Sequence, residues 1–118
     1  MVVAFDRPEP TRRKLEYEAY KATRAEIDKE LIAQLERAPK VFEAFGIPVY
    51  EHPGFEADDV IGTIVKKVNA RSDLATVIVT GDMDLFQLIS DRAFVYKTGF
   101  SLTDLKFYDI DAVQDKFG

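Results

Sequence analysis

The sequence predicts an α/β fold, with a mostly parallel central sheet flanked by helices. Three observations carry that expectation. Short apolar runs of strand length, such as "VVAF" and "LATVIVT", alternate with longer segments whose apolar residues fall at helical spacing. Gly, Pro, Asn and Asp punctuate the boundaries between them. Strand and helix signals follow one another along the chain, as parallel pairing with crossover helices requires.

The elements are expected in this order. "VVAF" (2–5) reads as a buried strand ending at Asp6, and "RPEP" breaks it with two prolines. Residues 11–37 are rich in Lys, Glu, Ala, Leu and Arg, with Thr11 as the candidate cap. Their apolar pattern is thin, which predicts helices with much solvent exposure. "APKVFEAF" completes a helix that stops at Gly46. "IPVYEHPG" is a short strand and turn, with His52 in the loop beside Pro53 and Gly54. Val60, Ile61, Ile64, Val65 and Val68 then form one apolar stripe of a helix beginning at Ala57. "ARSD" is a turn. "LATVIVT" (74–80) is a continuous β-branched run, which predicts a strand buried on both faces. Met83 to Ile89 reads as a short helix with Phe86 and Leu88 in the core. "AFVYKT" and "LKFYD" read as strands, and "IDAVQDKF" as a final helix.

At 118 residues, 47% of them apolar, the chain is one domain or part of one, with enough apolar surface for a core. The absence of Cys excludes disulfide frameworks and thiolate metal sites, and a single His leaves little for imidazole chemistry. No apolar run reaches membrane-spanning length and no secretory signal precedes the first strand, so a cytoplasmic protein without a membrane partner is expected. The net charge of −5 argues against nucleic-acid binding by bulk attraction. Its distribution is uneven. Residues 1–40 carry nine basic and eight acidic side chains, and residues 41–118 carry seven and thirteen. An acidic body with a basic segment suits a protein that holds cations in one place and phosphates in another.

Six acids hold the chemical interest. Glu56, Asp58 and Asp59 open the helix in "FEADDVIGTIV", Asp82 and Asp84 follow the apolar strand in "VIVTGDMDLF", and Asp6 ends the first strand. In open parallel sheets, ligands bind beyond the carboxyl ends of the strands, so all six fall at one predicted sheet edge. Two carboxylates about 5 Å apart repel by roughly 3 kcal/mol at an effective dielectric of 20. A helix N-terminus returns only about 0.3–1 kcal/mol per acid. A divalent cation would resolve the conflict, and all-oxygen ligands favour Mg²⁺ or Mn²⁺. Taken singly, the motifs have plainer readings: "EADD" is also a helix-capping pattern and "TGDMD" a strand-to-helix turn capped by Asp.

These motifs resemble the paired acidic motifs of the 5′→3′ exonuclease domain of bacterial DNA polymerase I, a member of the flap endonuclease superfamily. "VVAFD" is similar to that family's second acidic strand, and "TRRKLEYEAYKATR" to its Arg- and Tyr-bearing arch. "FEAFGIPVYEHPGFEADD" and "FYDIDAVQDKFG" match in register. The resemblance implies a PIN-like (resolvase-like) three-layer sandwich, here incomplete, with the arch within residues 7–37. It implies a nuclease that hydrolyses DNA near 5′ ends or at 5′ flaps, with an RNA primer as a further substrate. It implies two Mg²⁺ ions, replaceable by Mn²⁺, held by Asp6, Glu56, Asp58, Asp59, Asp82 and Asp84, with Asp59 and Asp82 central. Arg13, Tyr20, Lys21 and Arg24 would grip the substrate, Lys21 and Arg24 also stabilising charge in the transition state.

Two departures from the family pattern stand out. "AEIDKEL" replaces a Pro-containing segment after the arch. The chain opens at the second acidic strand and closes at "DKFG", before the family's Gly-Asp…Asp-Asn segment and its helix-turn-helix-like DNA-binding module. A truncated domain or a degenerate relative, weak or inactive alone, is therefore expected, and a polymerase domain in a longer chain is a candidate partner. The rival readings are a PIN-type ribonuclease, a non-catalytic module that binds branched DNA, and a structural remnant whose acids only cap helices.

Overall fold

The computed structural model describes residues 1–7, 15, 28–71, 73–101 and 103–118. The fold is α/β, and the chain divides into two compact units, Met1–Ile61 and Gly62–Gly118.

In the first unit, β1 (Val3–Ala4) pairs in parallel with β2 (Val49–Tyr50), Val3 opposite Val49. β1 is half-buried rather than buried, because a two-residue strand with one neighbour among the described residues has little to cover it. Between them runs α1 (Lys29–Ala44), whose N-cap Asp28 accepts a 2.8 Å hydrogen bond from the Glu30 nitrogen. Its last turn closes as a Schellman motif. Gly46 adopts φ +74°, its nitrogen donates to Glu43 O at 2.9 Å, and the Ile47 nitrogen donates to Phe42 O at 3.0 Å. The stop at Gly46 is therefore where the sequence puts it. Pro39 lies inside the helix, where it supplies no hydrogen bond to the preceding turn. No residue of α1 is buried; Phe42 turns toward Phe5, with ring centroids 6.0 Å apart.

α2 (Ala57–Asn69) carries the expected apolar stripe, of which only Val65 is fully buried. Acids occupy its first turn and Lys66 and Lys67 its last, both favourable to the helix dipole.

The second unit contains a three-stranded sheet in the order β3 (Thr76–Thr80), β4 (Ala93–Thr98), β5 (Leu105–Tyr108). β3 and β4 are parallel, with Ile78 opposite Val95; β4 and β5 are antiparallel, with Val95 opposite Tyr108. Burial on both faces of β3 is not found. Ile78 is 5% exposed, but Val77 is 52% and Val79 66% exposed, so the run alternates although its residue types do not. Among the described residues β3 also ends one side of this sheet, with β4 the strand that flanks it.

The segment after β3 is a tight 3₁₀ helix (Met83–Leu88) rather than an α-helix. Leu85 and Phe86 are buried there as expected of Phe86, and Leu88 is half-buried. Phe86 packs on Tyr108 with centroids 4.6 Å apart, and Tyr108 faces α3 (Ile110–Phe117), capped by Asp109 through a 2.9 Å bond from the Ala112 nitrogen. The Arg92 guanidinium, from the turn before β4, donates to the Asn69 and Arg71 carbonyls and closes the C-terminal end of α2.

Candidate active site

The structure gathers acids at the N-terminus of α2. Asp6, just past β1, reaches across 51 residues of sequence: its Oδ1 accepts a 2.6 Å hydrogen bond from the Ala57 nitrogen, the first of the helix. Asp59 turns back, its Oδ2 accepting at 3.1 Å from the Glu56 nitrogen. That is the N3-to-cap half of a capping box. Glu56 itself is 6% exposed, and a carboxylate so placed is costly unless partnered. The parallel pairing of β1 with β2 makes the arrangement, because it brings the end of β1 beside the segment that leads from β2 into α2. Arg7 pairs with Glu51 at 3.4 Å on the same stretch, a contact the sequence did not announce.

Asp82 and Asp84 form a second, local acidic group. Asp82 N-caps the 3₁₀ helix, with Oδ1 accepting from the Asp84 nitrogen at 2.9 Å. The Asp82 nitrogen donates to Thr80 Oγ1 at 3.0 Å. Thr80 is a positioning residue missed in the sequence, although Thr two residues before Asp is the signature of such a hydroxyl turn. Gly81 keeps the bend clear: a Cβ there would stand 3.3 Å from Thr98 Oγ1. The plainer readings of both motifs are thus physically present, since Asp59 and Asp82 each serve a backbone end. The Asp82 cap uses one carboxylate oxygen, Oδ1.

Among the described residues, no group of three or more His, Asp or Glu side chains is arranged to hold a metal ion. Arg13, Tyr20, Lys21 and Arg24, and the arch of residues 7–37 before Asp28 apart from Arg7 and Leu15, lie outside the described residues. His52 is an exposed loop residue, its Nδ1 2.9 Å from Pro53 O and its ring edge-on to Phe55. No helix among the described residues is long and apolar enough to cross a membrane.

Residues 1–118 match the family described as 5′-3′ exonuclease, N-terminal resolvase-like domain. The chain belongs to this family. DNA polymerase I of Caldicellulosiruptor bescii is 38% identical over 120 residues, covering all of this chain and 14% of that protein. The thermostable DNA polymerase I of Thermus filiformis is 39% identical over 118 residues, again all of this chain and 13% of that protein. The chain thus spans about one-seventh of the length of these relatives. A bacteriophage T5 D15 flap endonuclease, solved in complex with DNA and metal ions, superposes with a TM-score of 0.69 at 22% identity, over 98% of this chain and 44% of that one. The 5′-3′ exonuclease domain therefore has the PIN-like fold that the sequence motifs implied.

Proposed function

We propose that this exonuclease domain takes part in divalent-metal-dependent hydrolysis of DNA phosphodiester bonds, as a 5′→3′ exonuclease or 5′-flap endonuclease, in primer removal and repair. The observation that carries the reading is the docking of Asp6 onto the helix end that bears Glu56, Asp58 and Asp59. Two distant parts of the chain thereby bring carboxylates to one helix end. Family membership supplies the reaction class.

The donor set consists of carboxylate oxygens without thiolate, which suits the hard cations Mg²⁺ and Mn²⁺. Asp6, Glu56, Asp58, Asp59, Asp82 and Asp84 would hold them. When bound, such ions activate a water and stabilise the leaving oxygen of a phosphodiester. The protein's share is positional. The Ala57 nitrogen fixes Asp6 and the Glu56 nitrogen fixes Asp59, so neither carboxylate has to be ordered when substrate arrives. The helix dipole offsets part of the repulsion among them. The Asp82 cap and the Thr80 hydroxyl hold the second group in the same way. Arg13, Lys21 and Arg24 would grip the scissile phosphate, Arg by bidentate contacts and Lys as a point charge, and Tyr20 would offer a face for a base.

An RNA primer is a fitting substrate at the 5′ end, and a polymerase domain a fitting neighbour in a longer cytoplasmic chain. The test incubates the chain with a 5′-flap substrate and Mn²⁺ beside an Asp82→Ala control. Expected is slow release of the flap that the control abolishes; cutting that survives in the control would refute the assignment. Because the chain alone is expected to cut weakly, Mg²⁺ titration followed by thermal denaturation runs in parallel. A rise in melting temperature that Asp59→Asn removes supports the metal site. No rise in the native chain argues for acids that only cap helices.

A further inference from the structure

Lys106 on β5 and Lys116 on α3 converge on one phenol. Lys116 Nζ donates to the Tyr108 hydroxyl at 3.3 Å, and the two ammonium groups stand 5.3 Å and 5.4 Å from the centroid of the Tyr108 ring. They can be no farther apart than those two reaches together. Tyr108 is 2% exposed and packed on Phe86, so its hydroxyl is a fixed point, while both lysines are exposed. Arg7 pairs with Glu51 and Arg71 with Asp73, and neither lysine takes part in these ion pairs. Asp109, which lies between the two lysines in sequence, is turned to the Ala112 nitrogen. Two cations therefore face one phenol, Lys116 at its hydroxyl and Lys106 over its ring, and among the described residues no carboxylate is paired to either, in a chain of net charge −5. Like charges so placed repel, and a shared oxyanion removes the conflict.

We propose that Lys106, Lys116 and the Tyr108 hydroxyl form a clamp for a phosphate oxyanion, and that its occupant is a backbone phosphodiester of a DNA strand. The choice of DNA rests on the nuclease reading above; the clamp chemistry does not. Each lysine supplies a mobile point charge. The phenol oxygen already accepts from Lys116, so its own O–H is left to donate to a phosphate oxygen. A contact of this kind adds affinity and register without reading sequence.

The test uses the 118-residue chain, a Lys106→Gln/Lys116→Gln variant, and a charge-matched control, Lys66→Gln/Lys67→Gln, from the last turn of α2. Fluorescence anisotropy of a labelled 5′-flap DNA is followed across a salt series in Ca²⁺. The clamp variant should flatten the slope of log affinity against log salt by about one, the loss of one phosphate contact, and the control should leave it unchanged. DNA bound with equal slopes in all three proteins would overturn the clamp while leaving the nuclease reading intact, and equal flattening in clamp variant and control would do the same. In a second arm, inorganic phosphate is titrated while the phenol is followed by absorbance near 295 nm, with Tyr108→Phe as the blank. Phosphate should move the ionisation of Tyr108 to higher pH in the native chain and not in the clamp variant. A response to phosphate without DNA binding would remove DNA as the source and retain the oxyanion site. No response in the native chain would overturn the site itself.

Discussion

The Asp6 carboxylate sits 2.6 Å from the backbone nitrogen of Ala57, so the end of the first strand caps a helix that begins 51 residues later. One side chain thereby ties β1 to the start of α2, where Glu56, Asp58 and Asp59 already lie.

Asp6→Asn keeps an acceptor oxygen but removes the charge. In metal-free buffer it should cost about 0.3–1 kcal/mol, the usual worth of a charge at a helix N-terminus, and the cost should shrink in high salt. Asp6→Ala also removes the acceptor and should cost about 0.5–2 kcal/mol. Urea denaturation of both variants measures the difference. Equal losses would mean that the acceptor oxygen adds nothing beyond the charge, and no loss in Asp6→Asn would mean that the charge contributes nothing.

Asp82 has a capping role visible in the structure and a proposed role in catalysis, and two substitutions separate them. Asp82→Ser retains a capping oxygen and should stay near native stability. Asp82→Ala should lose about 1 kcal/mol. Both remove the carboxylate, so both should abolish flap cleavage. Cleavage by the Ser variant would confine Asp82 to the cap.

Gly46→Ala should destabilise the first unit by about 1–2 kcal/mol. The residue has φ +74° and no atom lies within 4 Å of an added Cβ, so the loss is backbone strain without a clash. Denaturant unfolding should show a lower midpoint at unchanged slope.

Tyr108 should ionise below its ordinary pKa of 10.0, because the Lys116 hydrogen bond favours the phenolate, against the opposing effect of burial, and the nearby charge of Lys106 adds to it. The unfolded chain then binds the extra proton between the folded and unfolded values. Stability from this group therefore rises with pH across that window, is fully present above about 10, and is lost as pH falls through the folded value. Lys116→Met should move the ionisation back up. A spectrophotometric titration that puts Tyr108 together with the exposed tyrosines would refute this.

Much of the fold was legible because it depends on local rules. The stop at Gly46 needed only a residue that tolerates positive φ, and the strands at 93–98 and 105–108 and the helix at 110–117 followed from period and punctuation. β3 was misread on its outer positions. Val77 and Val79 have the composition of a doubly covered strand, but coverage is a property of neighbours, and the chain composition cannot count them. The 3₁₀ geometry at Met83–Leu88 was hidden for a related reason: six residues are too few for periodicity to separate one helix type from another.

The residues alone determined the α/β class and the family and nominated the candidate acids, because alternation, caps and motif spacing are written in neighbouring positions. Only the tertiary structure decided that Asp6 docks on the start of α2 and that Lys106 and Lys116 meet at Tyr108. Asp6 meets α2 through strand pairing, and the two lysines meet through packing around a buried ring. Both join side chains that are separated in the sequence, and no local propensity records such a meeting.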